Sequence, residues 1–185
     1  MNILRITALS LALLGACTTP AKQSAPPLDA PNVVFKKAMV VAAFVPDQRQ
    51  QIENLFATEI QRRRPAARVI ASYQQFPEMG KTTENRFAAF LDTQAVDLVV
   101  TIEPFGEVMK TNFDDWSDIA NVALGQYYGA MAPQELKGRI GVQVVGWDVK
   151  TKRPVYAKTS EILVGEAVGV QGVTDFAVTT VSPGG

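Results

Sequence analysis

The chain has 185 residues, with 18 Lys and Arg against 18 Asp and Glu, no histidine and one cysteine. The missing histidine excludes a Ser-His-Asp triad, a histidine-liganded zinc and a histidine general base. The balanced charge, without a basic stripe in the sequence, argues against nucleic acid as a partner.

The first stretch that carries information is residues 1–17. Arg5 gives a positive start, residues 6–16 are uncharged and rich in Leu and Ala, and the small pair Gly15-Ala16 precedes Cys17. This is the order of a secretory leader, and it is shorter than the roughly 20 apolar residues a membrane span needs. Leu14-Gly15-Ala16-Cys17 resembles the lipobox of bacterial lipoproteins. The resemblance implies that the leader is removed before Cys17, whose thiol carries a diacylglyceryl group and whose new amino group is acylated. Two or more acyl chains hold a protein stably on a bilayer, because each buried methylene contributes about 0.8 kcal/mol. Thr18 follows the cysteine. By resemblance to Gram-negative sorting, in which Asp at that place favours inner-membrane retention, the expected location is the periplasmic face of the outer membrane. With Cys17 lipidated no thiol remains, which removes disulfides, thiol catalysis and thiolate metal sites.

Residues 18–32 contain four prolines and few large apolar groups, so they read as a tether. Fully extended, these residues reach roughly 50 Å. The expected organisation is therefore a leader at 1–16, a lipidated cysteine and tether at 17–35, and one α/β domain at 36–185.

Within that domain, residues 36–45 form a short apolar run ended by Pro46, as expected of a strand buried on both faces. Asp47 with Gln50 reads as a capping box, and Ile52, Leu55, Phe56 and Ile60 recur at helical spacing. Arg62, Arg63 and Arg64 fall in the last turn before Pro65 and read as a solvated helix end; phosphate or anionic lipid is the alternative ligand. Residues 67–73 read as a second strand. Thr82-Thr83 is a candidate cap for a second helix, whose buried face is Phe87, Phe90, Leu91 and Ala95. Residues 97–103 read as a third strand. The pattern strand-helix-strand-helix-strand with short connections predicts parallel strands.

Residues 105–138 form a long connection in which Ser117 could cap a helix. Trp116, Tyr127 and Tyr128 are candidate interface anchors, because aromatic residues are enriched at binding hot spots, with core packing as the equal alternative. Ile140, Val142 and Val144 then alternate with Gln143, Val145 and Trp147, and residues 154–163 resume after a polar turn, predicting an antiparallel hairpin. Residues 173–181 read as either a short helix or another strand, the β-branched residues counting against helix.

Four chemical motifs fail on spacing. Gly80-Lys81-Thr82 lies where a P-loop would, but the required upstream glycine is Gln75. Gly165, Gly169 and Gly172 do not make a dinucleotide fingerprint. Asp114, Asp115 and Asp118 lack the alternation and distal Glu of a calcium loop. Glu103 and Glu107 could in principle act as a glycosidase pair, but nothing fixes their separation, and a solvated face is the plainer reading. No cofactor and no metal is expected.

The order of elements resembles a group of small envelope lipoproteins with the plan of the TolB N-terminal domain, the curli-secretion lipoprotein and the lipoprotein activator of a penicillin-binding protein. It rests on Met39-Val40-Val41, the helix from Asp47, residues 72–77, Val96-Asp97-Leu98-Val99, and the hairpin from Trp147-Asp148 to Val155-Tyr156. The chain departs from that plan in its long 105–138 connection and in a Gly-rich end where a longer final helix is expected. The resemblance implies an α/β fold with a mixed sheet and a non-catalytic role in the envelope, binding a protein partner or a second copy of the chain. A lipid- or small-molecule-binding accessory of a transport system is the alternative, and a carboxylate-based cell-wall hydrolase is a third reading.

Overall fold

The computed structural model describes residues 33–77, 84–105, 138–164 and 169–182. Five strands, β1 (Lys37–Ala42), β2 (Arg68–Ala71), β3 (Leu98–Phe105), β4 (Gly138–Asp148) and β5 (Arg153–Val164), form one sheet in the order β2-β1-β3-β4-β5. β1 is parallel to β2 and β3, whereas β3, β4 and β5 run antiparallel in turn. The four described helices are α1 (Pro46–Arg63), α2 (Ser72–Gln75), α3 (Glu84–Thr93) and α4 (Gly169–Val181).

Successive residues of a strand point to opposite faces, and β1 uses both. Ala38, Val40 and Ala42 join Leu98, Val100, Ile102, Val142, Val144 and Tyr156 under α1 and α4. Met39 and Val41 join Val99, Val145 and Trp147 on the other face, where Phe76, Phe87 and Leu91 cover them. This explains why residues 38–42 read as a continuous apolar run: β1 lies inside the sheet with a layer on each side. The hairpin alternates as expected, with Val142 and Val144 on the first face and Val145 and Trp147 on the second.

Several expectations need correction. Helix α1 starts at Pro46, with Val45 as an N-cap that makes no side-chain bond, so Asp47 lies inside the first turn and does not cap it. Proline fits the first helical position, where its fixed φ suits the helix and no amide is needed. The second strand stops at Ala71, and residues 72–75 turn into α2. Ala95 is exposed and lies beyond α3, with φ of 49°; Val96 is buried in its place and donates its N–H to Leu91 O at 3.0 Å. Glu103 is buried, because β3 sits between β1 and β4.

The C-terminal stretch is a helix of 13 residues, so a final helix is present where the sequence suggested a deficit. Val173, Ala177, Val178 and Val181 give it a buried face, and the hydroxyls of Thr174 and Thr180 each donate to the carbonyl four residues back at 2.8 Å. Those bonds satisfy the threonines inside the helix and remove much of the objection to them there.

Candidate functional site

The carboxyl ends of β1 and β2 are where an open α/β sheet most often places function. Here they meet a buried polar cluster. Arg49 and Glu53 lie one turn apart on α1, on the same stripe as Ile52, Phe56 and Ile60. Arg49 is 2% exposed, and Glu53 and Ser72 are fully buried.

Glu53 Oε1 accepts from the Ala42 N–H at 3.0 Å, Arg49 Nε at 3.0 Å and Ser72 Oγ at 2.8 Å. Its Oε2 accepts from the Tyr73 N–H at 2.8 Å. Arg49 also donates through Nη2 to Ser72 Oγ at 2.7 Å and through Nη1 to Phe76 O at 3.1 Å. Phe76 in turn packs on Phe87 and Phe90, with centroids 5.6 and 5.2 Å away. One ion pair thus fastens α1 to the end of β1, to α2 and to the loop that follows it. Burying two charges is tolerable only when their remaining lone pairs and protons are bonded as fully as these are. The same carboxylate explains why the chain turns helical at Ser72, since it takes the Tyr73 amide that a continuing strand would direct elsewhere.

Chemically, the cluster is a clasp. Ser72 Oγ gives its proton to Glu53 and accepts from Arg49, and no part of it is exposed. At the surface beside it, Tyr73 OH donates to Asn54 at 2.9 Å and accepts from Gln74 Nε2 at 3.3 Å. Those bonds, the one from Gln74 first, pull its phenol below the ordinary 10.0.

The opposite end of α1 holds a second clasp and corrects the reading of the arginine triplet. Arg62 is the surface member, paired with Glu59 at 2.9 Å. Arg63 donates to Ser182 O at 3.1 Å. Arg64 reaches Val33 O at 2.6 Å, Val181 O at 3.3 Å and Ser182 Oγ at 3.3 Å, and its guanidinium lies 5.2 Å from the Phe35 ring centroid. Two of the three arginines are therefore committed to carbonyls at the end of α4 and at the start of the described chain. In the hairpin turn, Asp148 Oδ1 accepts from the Thr151 hydroxyl at 2.7 Å and its N–H at 2.6 Å. These bonds, the hydroxyl's first, hold the Asp148 carboxyl below its ordinary 3.8. The turn's support is present at neutral pH and is lost as acid protonates that carboxylate.

Tyr156 is fully buried, and among the described residues its hydroxyl has no hydrogen-bond partner. Burial pushes its ionisation well above 10.0, against a smaller opposing pull from Arg64. Replacing Tyr156 with phenylalanine is expected to raise stability by about 1 kcal/mol, because a buried hydroxyl without a partner costs its desolvation. The sign with pH follows. Above pH 10.0 the unfolded tyrosine loses its proton while the folded one keeps it, so the wild-type chain weakens with rising pH through this group. Urea titrations at neutral and alkaline pH check both effects; a destabilised Tyr156→Phe chain would show that the hydroxyl has a bonded partner.

Cys17 with Leu14, Gly15 and Ala16, the aromatic candidates Trp116, Tyr127 and Tyr128, and the Asp114–Asp118 and Gly80-Lys81-Thr82 motifs lie outside the described residues. Among the described residues no group of three acids, cysteines or histidines is placed to hold a metal, and no helix is long and apolar enough to cross a membrane. Sequence reading missed Arg49 and Glu53. Their signal was two opposite charges four residues apart on an otherwise apolar stripe.

No family model and no curated protein matches the sequence. Among solved structures, the chain is similar to the PelC dodecamer from Paraburkholderia phytofirmans, at 15% identity, with 83% of this chain and 92% of that one covered and a TM-score of 0.45. It is similar to lipoprotein GNA1162 from Neisseria meningitidis, at 12% identity, with 78% and 94% covered and a TM-score of 0.40. It is also similar to TolB from Acinetobacter baumannii, at 14% identity, with 83% of this chain but 28% of TolB covered and a TM-score of 0.39. TolB and a lipoprotein, the kinds of protein the sequence resembles, are thus among its structural neighbours.

Proposed function

We propose that the chain is a lipid-anchored component of the bacterial envelope that binds a protein partner and catalyses no reaction. Its lipid is carried on Cys17 and its domain stands on the periplasmic face of the outer membrane. The observation that carries the non-catalytic part is the clasp. Among the described residues, the cluster of buried charge at the carboxyl ends of β1 and β2 spends the Glu53 carboxylate, the Arg49 guanidinium and the Ser72 hydroxyl on holding the chain together. The absence of histidine and of a second cysteine agrees with it. The anchor rests on Leu14-Gly15-Ala16-Cys17 and the proline-containing tether after it.

Crosslinking the protein in its own membrane before detergent extraction tests the reading. The expected product is a stoichiometric adduct with one envelope protein or with a second copy of the chain. A monodisperse monomer without an adduct would contradict it.

A further inference from the structure

The strand registers line up one end of the sheet. Arg68 opens β2 opposite Lys37 at the start of β1, and Arg68 N–H bonds Lys36 O at 2.8 Å. Leu98, which opens β3, pairs with Ala38 and with Asp148 at the end of β4, and Asp148 pairs with Arg153 at the start of β5. The turn between β4 and β5 adds Lys150 and Lys152, and α1 ends here with Arg62, Arg63 and Arg64. Nine of the chain's 18 Lys and Arg therefore gather at this end, together with the carboxylates Glu59, Asp92, Asp97 and Asp148. Among the described residues this end therefore carries nine cations against four carboxylates.

The carboxylates here are largely occupied. Asp97 accepts the Lys36 and Lys37 amides at 2.8 and 3.0 Å, Asp148 holds Thr151, and Glu59 holds Arg62. Of the cations, Arg63 and Arg64 are bound to carbonyls and Lys37 donates to Gln94 O. Lys36, Arg68, Lys150, Lys152 and Arg153 are exposed. They stretch from one edge strand to the other, about 20 Å across a sheet with the usual strand spacing.

The chain upstream leaves from this same end. Arg64 holds Val33 O and stacks on Phe35, so the segment that leads back to Cys17 departs beside the cations. Val34 stands between them, 91% exposed. We infer that the amino ends of β1, β2 and β3 form a membrane-docking face. Lys36, Arg68, Lys150, Lys152 and Arg153 rest on anionic phospholipid headgroups, Val34 enters the interface, and the clasp end of the sheet turns outward. The inference rests on the lipid-anchored reading: the anchor supplies proximity, and the cations supply orientation. Basic residues near an anionic surface each gain about fivefold in partition, and the gain is screened by salt.

The test uses the full-length protein extracted from its membrane and reconstituted with phosphatidylcholine vesicles, with or without phosphatidylglycerol. An amine-reactive reagent is applied, and labelling at Lys36, Lys150 and Lys152 is compared with Lys158 in the middle of β5. The expected result is about fivefold or greater protection of the three lysines on phosphatidylglycerol vesicles, reversed by added salt, with Lys158 unchanged. Equal labelling on both vesicles by a protein that stays bound to both would overturn the docking face and leave the anchor standing. A protein that leaves phosphatidylcholine vesicles but is recruited and protected by phosphatidylglycerol would overturn the anchor and uphold the face. Protection by a soluble anionic glycan but not by phosphatidylglycerol would overturn the lipid in favour of a glycan surface.

Discussion

Replacing Glu53 with alanine is expected to cost the domain about 3–5 kcal/mol, the range for breaking a buried ion pair from one side. The loss has two parts. Arg49, 2% exposed, would keep a charge with no carboxylate beside it. The Ala42 and Tyr73 amides would also lose their acceptor in the interior. Against a typical total stability of 5–15 kcal/mol, such a change leaves the domain marginal. Replacing Arg49 with methionine and Glu53 with leucine together should recover part of the loss by removing the orphaned charge. It should not recover all of it, because those two amides remain unbonded. Urea unfolding of Arg49→Met, Glu53→Leu and the double variant measures the coupling directly. A cost below about 1 kcal/mol for Glu53→Ala would mean that the clasp is not what joins α1 to β1 and α2.

The second large effect is expected at Gly146. A Cβ added there would lie 1.9 Å from Tyr156 Cε1, 2.3 Å from Cζ and 2.6 Å from Cδ1. The ring is fully buried in the core under α1 and α4, so it has no free space to move into. The strands already depart from regular register between Gly146 and Trp147, where the ring of Tyr156 crosses the backbone. Gly146→Ala should therefore cost about 3 kcal/mol, at the upper end of overpacking penalties, and Gly146→Val should prevent folding. In a Tyr156→Val background the same Gly146→Ala change should cost less than about 1 kcal/mol, because the clashing ring is gone. Thermal unfolding of the four chains settles it; an equal cost in both backgrounds would place the penalty in the backbone and not in the ring.

These two positions also show what the sequence made legible. Apolar periodicity located every described strand and both long helices of the parallel half, because Met39, Val40 and Val41 or Ile52, Phe56 and Ile60 sit where burial needs them. The alternation from Ile140 to Trp147 gave the hairpin and the assignment of its two faces. Places where a charge or an aromatic broke the pattern stayed opaque. Arg49 and Glu53 carried no reading from the sequence, because their partners Ser72 and Tyr73 come from beyond α1. Gly146 read as one more strand residue, since only the ring across the ladder makes its missing side chain necessary. The arginine triplet divided in the same way: Arg62 stayed on the surface, while Arg63 and Arg64 found carbonyls more than a hundred residues away in sequence. The basic end of the sheet was invisible for a related reason. Its cations come from separate segments, and the strand registers alone bring them into line.

The central claim, a domain held to the envelope through Cys17, is tested most directly by the intact mass and N-terminal peptide of the protein purified from its native membrane. The expected N-terminal residue is Cys17, carrying a thioether-linked diacylglyceryl group and an amide-linked acyl chain, with residues 1–16 removed. A chain that retains Met1, or one whose Cys17 is an unmodified thiol, would contradict it.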